Sequence, residues 1–382
     1  MSRAPRLLFL MNDAPFYVTH RLSVGIAAKR AGFDVHVAAP HRHDAVKRIE
    51  AEGIVFHDIP LRRGGRRIGG ELALIWAMAK LIRSLHPDLL HAVTMKPVCY
   101  GGTLARLLGV PATVLAITGL GYLFVTESLA ARAMRHVALA LYRFALANRP
   151  LRAIFQNPDD LALFRAHGLV ADDVVRMIRG CGVDMSAFPA RPEPAGETVV
   201  MFPARILGDK GVHEFVGAAR LLKAKGIAAR FVMVGRTDPD NPTDVGEAGI
   251  RRWIEEGVVE WWGFSEDMPA TLARATLVCM PSYREGLPRG LIEAAATERA
   301  IVTADVPGCR EVVRHGDNGL LVPVRDAAAT ADALEKLILD AELRRRLAAH
   351  GREIAVADFS VEDFVAKSLA VYREVLTDAR LA

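Results

Sequence analysis

The sequence has few cysteines, few lysines and no long apolar run. Its 382 residues include four cysteines, and none of them forms a C-x-x-C pair. We therefore expect reduced core or loop thiols (Cys99, Cys181, Cys279 and Cys309) rather than a disulfide framework. The longest nearly uncharged apolar runs are too short for a membrane-spanning helix. Residues 1–11 pass directly into a predicted strand without a leader-like pattern, so we expect a cytoplasmic protein.

The composition is that of a globular protein, with 51% hydrophobic and 24% charged residues. The length predicts two domains. The net charge is +5, and only nine of the 49 basic residues are lysines. Arginine is favoured where a planar group must hold phosphate. Genome composition is the alternative explanation for this bias.

The first half alternates between strand and helix patterns. Strands are predicted over 6–11, 34–39 and 54–59, with helices over 16–31 and 44–52. This alternation predicts an α/β fold with a doubly wound parallel sheet that binds ligands at the carboxyl ends of its strands. No G-x-G-x-x-G follows the first strand, which argues against a nicotinamide or flavin cofactor. We expect no cofactor of any kind.

The stretch 282–295 carries the clearest chemistry. It follows an apolar strand over 277–280 and consists of a turn with Gly286, Pro288 and Gly290, then a helix. Glu285 precedes the turn and Glu293 lies in the helix; in a continuous helix they would stand about 12 Å apart. Each carboxylate can accept both hydroxyls of a vicinal diol, so the pair could hold the two sugar rings of a nucleotide-sugar. Alternatively, both are ordinary exposed acids.

This E-x7-E pattern resembles the signature of retaining glycosyltransferases of family four, which have the GT-B fold. Arg205 and Lys210 are similar to the family's R-x4-K-G pattern, and residues 182–188 are similar to its interdomain G-V-D-x-x-x-F segment. The resemblance implies two Rossmann-like doubly wound domains that face a cleft. We expect an acceptor domain over 1–185, a nucleotide-sugar donor domain over 186–359 and a C-terminal helix over 360–382 that crosses back to the first domain.

The resemblance also implies roles on the donor side. Arg205 and Lys210 neutralise the leaving diphosphate, Glu285 holds the hexose, and these three form the predicted catalytic set. Glu293 binds the ribose diol. The predicted donor-binding residues are Gly235, Gly263, Phe264, Gly286, Leu287 and Glu293. The acids Asp238 and Asp240 are interpreted as a turn, and no metal is expected.

On the acceptor side, residues 118–121 resemble enzymes that extend undecaprenyl-diphosphate-linked sugars. The family often has a histidine where this sequence has Thr118. His20 and Arg21 are either surface residues or line the mouth of the cleft. His91 is interpreted as structural, whereas Lys96 is placed to face a ligand. The predicted acceptor-side residues are Asn12, His20, Arg21, Arg63, Arg66, Lys96, Thr118 and Gly119.

Two basic segments point to an anionic membrane surface. One is the arginine loop over 62–67, and the other is a basic amphipathic helix over 128–146. The alternatives are a plain solvated loop and an ordinary core-facing helix. No aromatic residues interleave with the arginines, so nucleic acid is not an expected partner. We expect peripheral attachment to the inner face of the cytoplasmic membrane.

Together these patterns predict a retaining glycosyltransferase. It would move a hexose or N-acetylhexosamine from a UDP-sugar to an undecaprenyl-diphosphate-linked saccharide during surface glycan assembly. The resemblance to the family favours uridine as the nucleoside of the donor. The alternatives are a UDP-sugar 2-epimerase, a transferase that acts on a soluble acceptor, and a binding-only member with an inactive site.

Overall fold

The computed structural model describes residues 3–62, 68–119 and 129–381, which form two compact units. Unit 1 comprises residues 1–182 and 362–382, and unit 2 comprises residues 183–361. The chain therefore divides after Gly182, three residues before the expected boundary at 185. The C-terminal helix belongs to unit 1.

Unit 1 is built on a seven-stranded parallel sheet with the order β3-β2-β1-β4-β5-β6-β7. Its strands are β1 (Arg6–Leu10), β2 (Asp34–Ala39), β3 (Val55–Asp58), β4 (Leu89–Val93), β5 (Ala112–Ile117), β6 (Leu151–Phe155) and β7 (Val175–Met177). The strand order reverses between β1 and β4, where Leu10 pairs with Ala92. In open α/β sheets, such a switch point is where ligands bind at the carboxyl ends of the strands.

Helices cover both faces of this sheet. They are α1 (Ala14–His20), α2 (Leu22–Arg30), α3 (His43–Ala51), α4 (Ile68–Leu85), α5 (Gly102–Leu108, preceded by a π-helical turn, Pro97–Gly101), α6 (Leu129–Leu146), α7 (Pro158–Ala166) and, from the end of the chain, α15 (Val361–Leu381). The alternating residues of β1 point to opposite faces. Leu8 and Leu10 pack in one core with α4, α5 and α6, whereas Leu7 and Phe9 pack in another with α15.

The expected helix over 16–31 is two helices, because the chain leaves the helical conformation at Arg21 (φ −137°). The break accompanies the burial of the Arg21 side chain, which is only 2% exposed. Its guanidinium lies 5.0 Å from the centre of the Phe364 ring on α15.

Unit 2 is built on a six-stranded parallel sheet with the order β10-β9-β8-β11-β12-β13. Its strands are β8 (Val199–Pro203), β9 (Arg230–Val234), β10 (Glu260–Trp261), β11 (Leu277–Met280), β12 (Ala300–Ala304) and β13 (Leu320–Val322). Its helices are α8 (Val212–Ala224), α9 (Gly246–Glu255), α10 (Met268–Ala273), α11 (Arg289–Ala296), α12 (Cys309–Val312), α13 (Ala327–Leu339) and α14 (Ala341–Asp358). A single hydrophobic core connects these elements.

The four cysteines are buried free thiols, as expected from their scattered positions. Burial raises the pKa of the Cys99 thiol to about 12. Each is therefore a small apolar core residue rather than a reactive nucleophile.

Candidate active site

The loop after β8 brings the two predicted cations to the carboxyl edge of the unit 2 sheet. Arg205 lies just beyond the strand, and Lys210 ends a short 3-10 turn, Gly208–Lys210. Gly211 follows in the left-handed conformation (φ 79°), and a Cβ there would lie 2.1 Å from the Pro281 carbonyl oxygen. Only glycine fits, since any side chain would push the Lys210 loop away from the end of β11.

The E-x7-E stretch forms the neighbouring loop and helix. β11 ends at Met280, Pro288 is the N-cap residue of α11, and the helix begins at Arg289. Glu285 therefore lies in the loop and Glu293 in the helix. Gly308 (φ 81°) presses against this loop, because a Cβ at Gly308 would lie 2.6 Å from the carbonyl oxygens of both Glu285 and Gly286. Leu287 packs against the core of unit 2.

Lys210 and Glu285 form a direct ion pair. The Lys210 Nζ donates to Glu285 Oε1 at 2.5 Å, and the two side chains are 19% and 11% exposed. Both groups are thus sheltered from water yet reachable from the sheet edge. A cation and an acid held together in this way can bind a phosphate and a hydroxyl-bearing ring of one ligand.

Glu293 is buried in α11 and is 8% exposed. Burial raises the pKa of its carboxyl group, against the opposing effect of the Arg289 guanidinium. Arg289 Nε donates to Glu293 Oε1 at 2.6 Å, one helical turn away. Burial of a carboxylate costs stability unless it is paired and hydrogen-bonded. Glu293 is therefore more than a solvated helix residue.

Arg205 is paired with Asp238, the first acid of the loop interpreted as a turn. That loop is ordered by its own hydrogen bonds: Asp244 accepts from the Asp238 N–H at 2.9 Å, and Thr243 donates to Asn241 at 2.9 Å. Asp238 therefore sets the direction of the Arg205 side chain. Among the residues that the structure describes, no group of His, Cys, Asp and Glu side chains has the arrangement of a metal site.

Two glycines and a cation–aromatic pair lie at the ends of β9 and β10. The Gly235 N–H donates to the Gly263 carbonyl at 2.8 Å, and a Cβ on Gly235 would lie 1.9 Å from the Ala204 carbonyl oxygen. Phe264 is 53% exposed, and the Arg236 guanidinium lies 3.7 Å from its ring centre. Arg236 was not among the sequence predictions, because a cation after a glycine carries no signal of its own.

In unit 1, Asn12 and Thr94 follow β1 and β4 at the switch point. Extending the β1–β4 register from Leu10 and Ala92 places them side by side. The Asn12 Oδ1 and Thr94 Oγ1 atoms are buried without a hydrogen-bond partner among the described residues. Thr94 has a φ of 74°, which is strained for a β-branched residue and typical of functional positions. The sequence analysis missed Thr94, for which the signal was its place directly after β4.

Lys96 lies beyond β4 and is held by unit 1 itself. Its Nζ donates to Glu71 Oε1 at 2.6 Å and to the Arg62 carbonyl at 2.8 Å, and the Tyr100 hydroxyl donates to Glu71 Oε2 at 2.8 Å. The Lys96 charge is therefore compensated by a carboxylate that no sequence pattern identified.

The structure tests two further predictions, those for Arg21 and His91, whereas the assignment of His20 stays a prediction. His20 stacks on Phe16 with ring centres 4.0 Å apart. Arg21 is neither a surface residue nor a cleft-lining one, because its guanidinium is buried against α15; we correct its acceptor-side assignment to a structural one. The structural interpretation of His91 is confirmed, since it is 1% exposed and bonds the Tyr372 hydroxyl on α15 at 2.6 Å.

The remaining acceptor-side predictions lie at the edge of the described chain or outside it. Thr118 and Gly119 follow β5 and are partly exposed. Arg63 and Arg66, with most of the arginine loop, lie outside the described residues.

One outer surface of unit 1 combines exposed apolar side chains with positive charge. The helices α4, α5 and α6 share one core on the same face of the sheet. Six of their large apolar side chains are exposed: Leu72, Trp76, Leu107, Met134, Val137 and Phe144. These three helices carry six arginines and lysines but one acid, Glu71; the cations are Lys80, Arg83, Arg106, Arg132, Arg135 and Arg143. We call this the basic–apolar surface. No helix among the described residues is long and apolar enough to cross a membrane.

Two family models match this chain. Residues 6–157 match the model described as glycosyl transferase 4-like, and residues 197–340 match the model described as glycosyl transferases group 1. Each model falls within one unit.

Similar curated proteins come from bacterial glycan assembly. The N,N'-diacetylbacillosaminyl-diphospho-undecaprenol alpha-1,3-N-acetylgalactosaminyltransferase of Campylobacter jejuni is 28% identical over 73% of this chain and 75% of its own length. The putative glycosyltransferase EpsD of Bacillus subtilis is 28% identical over 86% of each chain.

Among solved structures, Anabaena HepE in complex with UDP and glucose aligns with a TM-score of 0.76 and 22% identity, over 95% of this chain and 99% of that one. WaaG, a glycosyltransferase involved in lipopolysaccharide biosynthesis, aligns with a TM-score of 0.71 and 14% identity, over 96% and 99% of the two chains. The expected fold class is confirmed: the structural neighbours are glycosyltransferases of the GT-B fold.

Proposed function

This chain belongs to the GT-B glycosyltransferases of bacterial polysaccharide biosynthesis, and from that premise we propose its reaction. The protein transfers a hexose or N-acetylhexosamine from a UDP-sugar to a saccharide on undecaprenyl diphosphate. The configuration at the anomeric carbon is retained. The observation that carries the proposal is the sheltered pair of Lys210 and Glu285, which are 2.5 Å apart at the carboxyl edge of the unit 2 sheet.

Unit 2 supplies the donor contacts. Lys210 and Arg205 bind the diphosphate, and Glu285 accepts hydroxyl hydrogens of the hexose. Glu293 accepts those of the ribose, with Arg289 holding its carboxylate in place. Gly235, Gly263 and Phe264 receive the base. Complexes of HepE with UDP and glucose support a uridine nucleotide as the donor.

The reaction replaces one bond at the anomeric carbon with another. The bond from that carbon to the diphosphate oxygen breaks, and UDP leaves with the electron pair. The acceptor hydroxyl oxygen bonds to the same face of the carbon, and its proton passes to the departing phosphate oxygen. The main electrostatic task is to stabilise the charge that develops on the diphosphate. Lys210 and Arg205 would supply that positive charge once the diphosphate competes with their partners, Glu285 and Asp238.

Unit 1 supplies the acceptor contacts. Asn12 and Thr94 present buried oxygens at the switch point, and Lys96, which follows β4, is an acceptor-side cation whose partner without a ligand is Glu71. Thr118 and Gly119 follow the neighbouring strand. A lipid-linked acceptor is supported by the relative from Campylobacter jejuni, whose name specifies an undecaprenol-linked substrate.

The basic–apolar surface supports peripheral attachment to a membrane of anionic lipid. Its cations attract the headgroups, while exposed side chains such as Trp76 enter the interface between headgroups and acyl chains. Such attachment would bring the enzyme to an acceptor that does not leave the bilayer. We place the protein on the inner face of the cytoplasmic membrane, where nucleotide-sugars are available.

The test is an assay of the purified full chain with UDP-glucose, UDP-galactose and their N-acetyl derivatives. Each donor is incubated with an undecaprenyl-diphosphate-linked N-acetylhexosamine, and the lipid fraction is analysed by mass spectrometry. A product heavier by one sugar, with an α linkage by NMR, supports the proposal. A β linkage would contradict retention.

Reactions with the donor alone, and with other acceptors, distinguish the alternatives from the proposed transferase. Conversion of a UDP-sugar into its 2-epimer without any acceptor would identify an epimerase. Transfer to a soluble glycoside but not to the lipid-linked sugar would identify a soluble-acceptor transferase. Binding of UDP-sugars without turnover, across acceptors, would identify a binding-only protein.

A further inference from the structure

The loops that carry Lys210 and Glu285 are held together by contacts of Ser282 and Tyr283. The Tyr283 N–H donates to the Asp209 carbonyl at 2.9 Å, and the Ser282 hydroxyl reaches the Lys210 carbonyl at 3.5 Å. The glycine at position 211 allows the backbones to approach this closely. These ties, one from a backbone N–H and one from a serine hydroxyl, fix the spacing of the two loops.

Tyr283 adds a side-chain tie between the same two segments. Its hydroxyl donates to Glu214 Oε1 at 2.8 Å. Glu214 is only 8% exposed and is the third residue of α8, the helix that begins directly after the Lys210 loop. The bond therefore joins the loop before Glu285 to the helix after Lys210. Tyr283 is two residues from Glu285 in the chain, and Glu214 is four residues from Lys210.

Glu214 is an unusual residue for a purely structural helix position. Its second oxygen, Oε2, is buried without a hydrogen-bond partner among the described residues. A buried carboxylate with one unsatisfied oxygen is costly. The dipole at the start of α8 compensates for part of that cost. The Tyr283 bond then fixes the direction of the carboxylate.

A third group covers this pair. The Arg325 guanidinium lies 4.8 Å from the centre of the Tyr283 ring, and Arg325 has a φ of 61°. The strained backbone directs the arginine toward the ring. The Tyr283 ring is thus held by Arg325 on its face and by Glu214 at its hydroxyl, which leaves it little rotational freedom.

We propose that Tyr283 is a positioning residue for sugar transfer: its bond to Glu214 sets the Lys210 loop and the Glu285 loop so that both charged groups meet one nucleotide-sugar. This rests on the proposed function of the Lys210–Glu285 pair. Tyr283 acts through that pair and takes no part in the chemistry. A hydrogen bond of this kind contributes enough to change binding by about threefold to tenfold when it is lost.

The experiment measures UDP binding by calorimetry for the wild type, Y283F, K210A and the double variant. UDP needs no acceptor, and Y283F retains the ring. We expect Y283F to weaken UDP binding about threefold to tenfold. In the K210A background, the same change should weaken binding by less than about twofold, since residues that act through one another are not additive.

Two more variants separate positioning from folding. E214Q keeps a carbonyl oxygen that accepts from Tyr283, so it should bind UDP within about twofold of the wild type, whereas E214A should resemble Y283F. The matched control is Y372F, which loses the buried bond to His91 in unit 1. It should lower the melting temperature without changing UDP binding.

Equal effects of Y283F in the wild-type and K210A backgrounds would overturn the proposal, as would unchanged UDP binding by Y283F and E214A. Failure of the wild type itself to bind UDP would instead count against the proposed donor. The two hypotheses are thus tested by different samples in one experiment.

Discussion

The Lys210 ammonium lies 2.5 Å from the Glu285 carboxylate, although the two residues are 75 positions apart in the chain. The contact joins the R-x4-K loop after β8 to the E-x7-E loop after β11, and these two strands are neighbours in the unit 2 sheet. Without a ligand the two charges neutralise each other. A bound nucleotide-sugar would divide the pair, with phosphate on the lysine and sugar hydroxyls on the glutamate.

Replacing Lys210 by alanine should reduce kcat for sugar transfer by about 100-fold to 1,000-fold, because the leaving diphosphate loses a fixed positive charge. The melting temperature should fall only modestly: Glu285 loses its partner, but Lys210 is not part of the hydrophobic core of unit 2. The measurement is UDP release under saturating acceptor. K225A is the matched control: Lys225 also pairs with an acid in unit 2 but lies on an exposed surface. A K210A enzyme as active as K225A would contradict the assignment.

Replacing Glu293 by glutamine should separate stability from activity. The folded-state pKa of this carboxyl is raised by burial, so its ionised form destabilises the fold, and this cost appears as pH rises through the raised pKa. E293Q should therefore melt at the wild-type temperature or above it at pH 7. The donor KM should nevertheless rise about tenfold or more, since an amide accepts fewer hydroxyl hydrogens.

The same carboxyl should shape the acid side of the pH–rate profile. Wild-type kcat/KM for the donor should fall as Glu293 becomes protonated, at a pH above the ordinary glutamate value of about 4.3. E293Q should lack this limb of the profile. An acid limb that persists unchanged in E293Q would assign it to another group.

Replacing Trp76 by serine should weaken binding to vesicles of anionic lipid, because the exposed indole no longer enters the membrane interface. We expect at least a threefold loss of the sedimented fraction at low salt, and a further loss for wild type and variant alike as salt rises. The control is L339S on α13 of unit 2, since Leu339 is 66% exposed, as is Trp76. Equal loss in both variants would argue against the basic–apolar surface.

Replacing Arg299 by methionine should lower the free energy of unfolding of unit 2 by about 2–4 kcal/mol. Arg299 is 1% exposed and donates to the Arg191 carbonyl at 2.9 Å, the Pro192 carbonyl at 3.0 Å and the Leu272 carbonyl at 3.1 Å. Methionine removes these donors, and of the three carbonyls Leu272 still accepts from the Ala275 N–H at 3.0 Å. Urea unfolding followed by tryptophan fluorescence reports mainly on unit 2, which has three of the four tryptophans.

R345M is the control for that measurement, because Arg345 is exposed and its Nε donates to the Ala341 carbonyl of its own helix at 3.0 Å. Its urea midpoint should stay within error of the wild type. A similar loss for both arginines would show that the buried carbonyl contacts are not the cause.

Much of the donor side was predictable from sequence because its residues sit in short, contiguous patterns. Glu285, Glu293, Arg205 and Lys210 follow strands whose apolar runs are clear, and parallel strands bring their carboxyl ends to one edge. The partners of these side chains were not predictable. In the sequence Asp238 is an ordinary acid, and only the fold pairs it with Arg205. The same holds for Glu214, which accepts from Tyr283.

The acceptor side was less predictable for a related reason. Arg21 was assigned from its place about one helical turn beyond the first loop, and Lys96 from its place after a strand. Position alone does not show which way a side chain points. Arg21 turns inward because α15, far away in sequence, provides the Phe364 ring that covers it. Thr94 lies directly after β4, but the backbone strain that distinguishes it has no sequence signature in a threonine.

The place of α15 in unit 1 has a consequence for biosynthesis. The ribosome produces β1 to β7 first, then all of unit 2, and only then the helix whose Phe364 and Tyr372 complete the unit 1 core. Until that moment, the nascent first unit carries an uncovered hydrophobic face next to an arginine and a histidine destined for the interior. A premature stop near codon 360 would thus damage unit 1, although the rest of that unit is encoded at the start of the gene, and such truncated chains should bind chaperones.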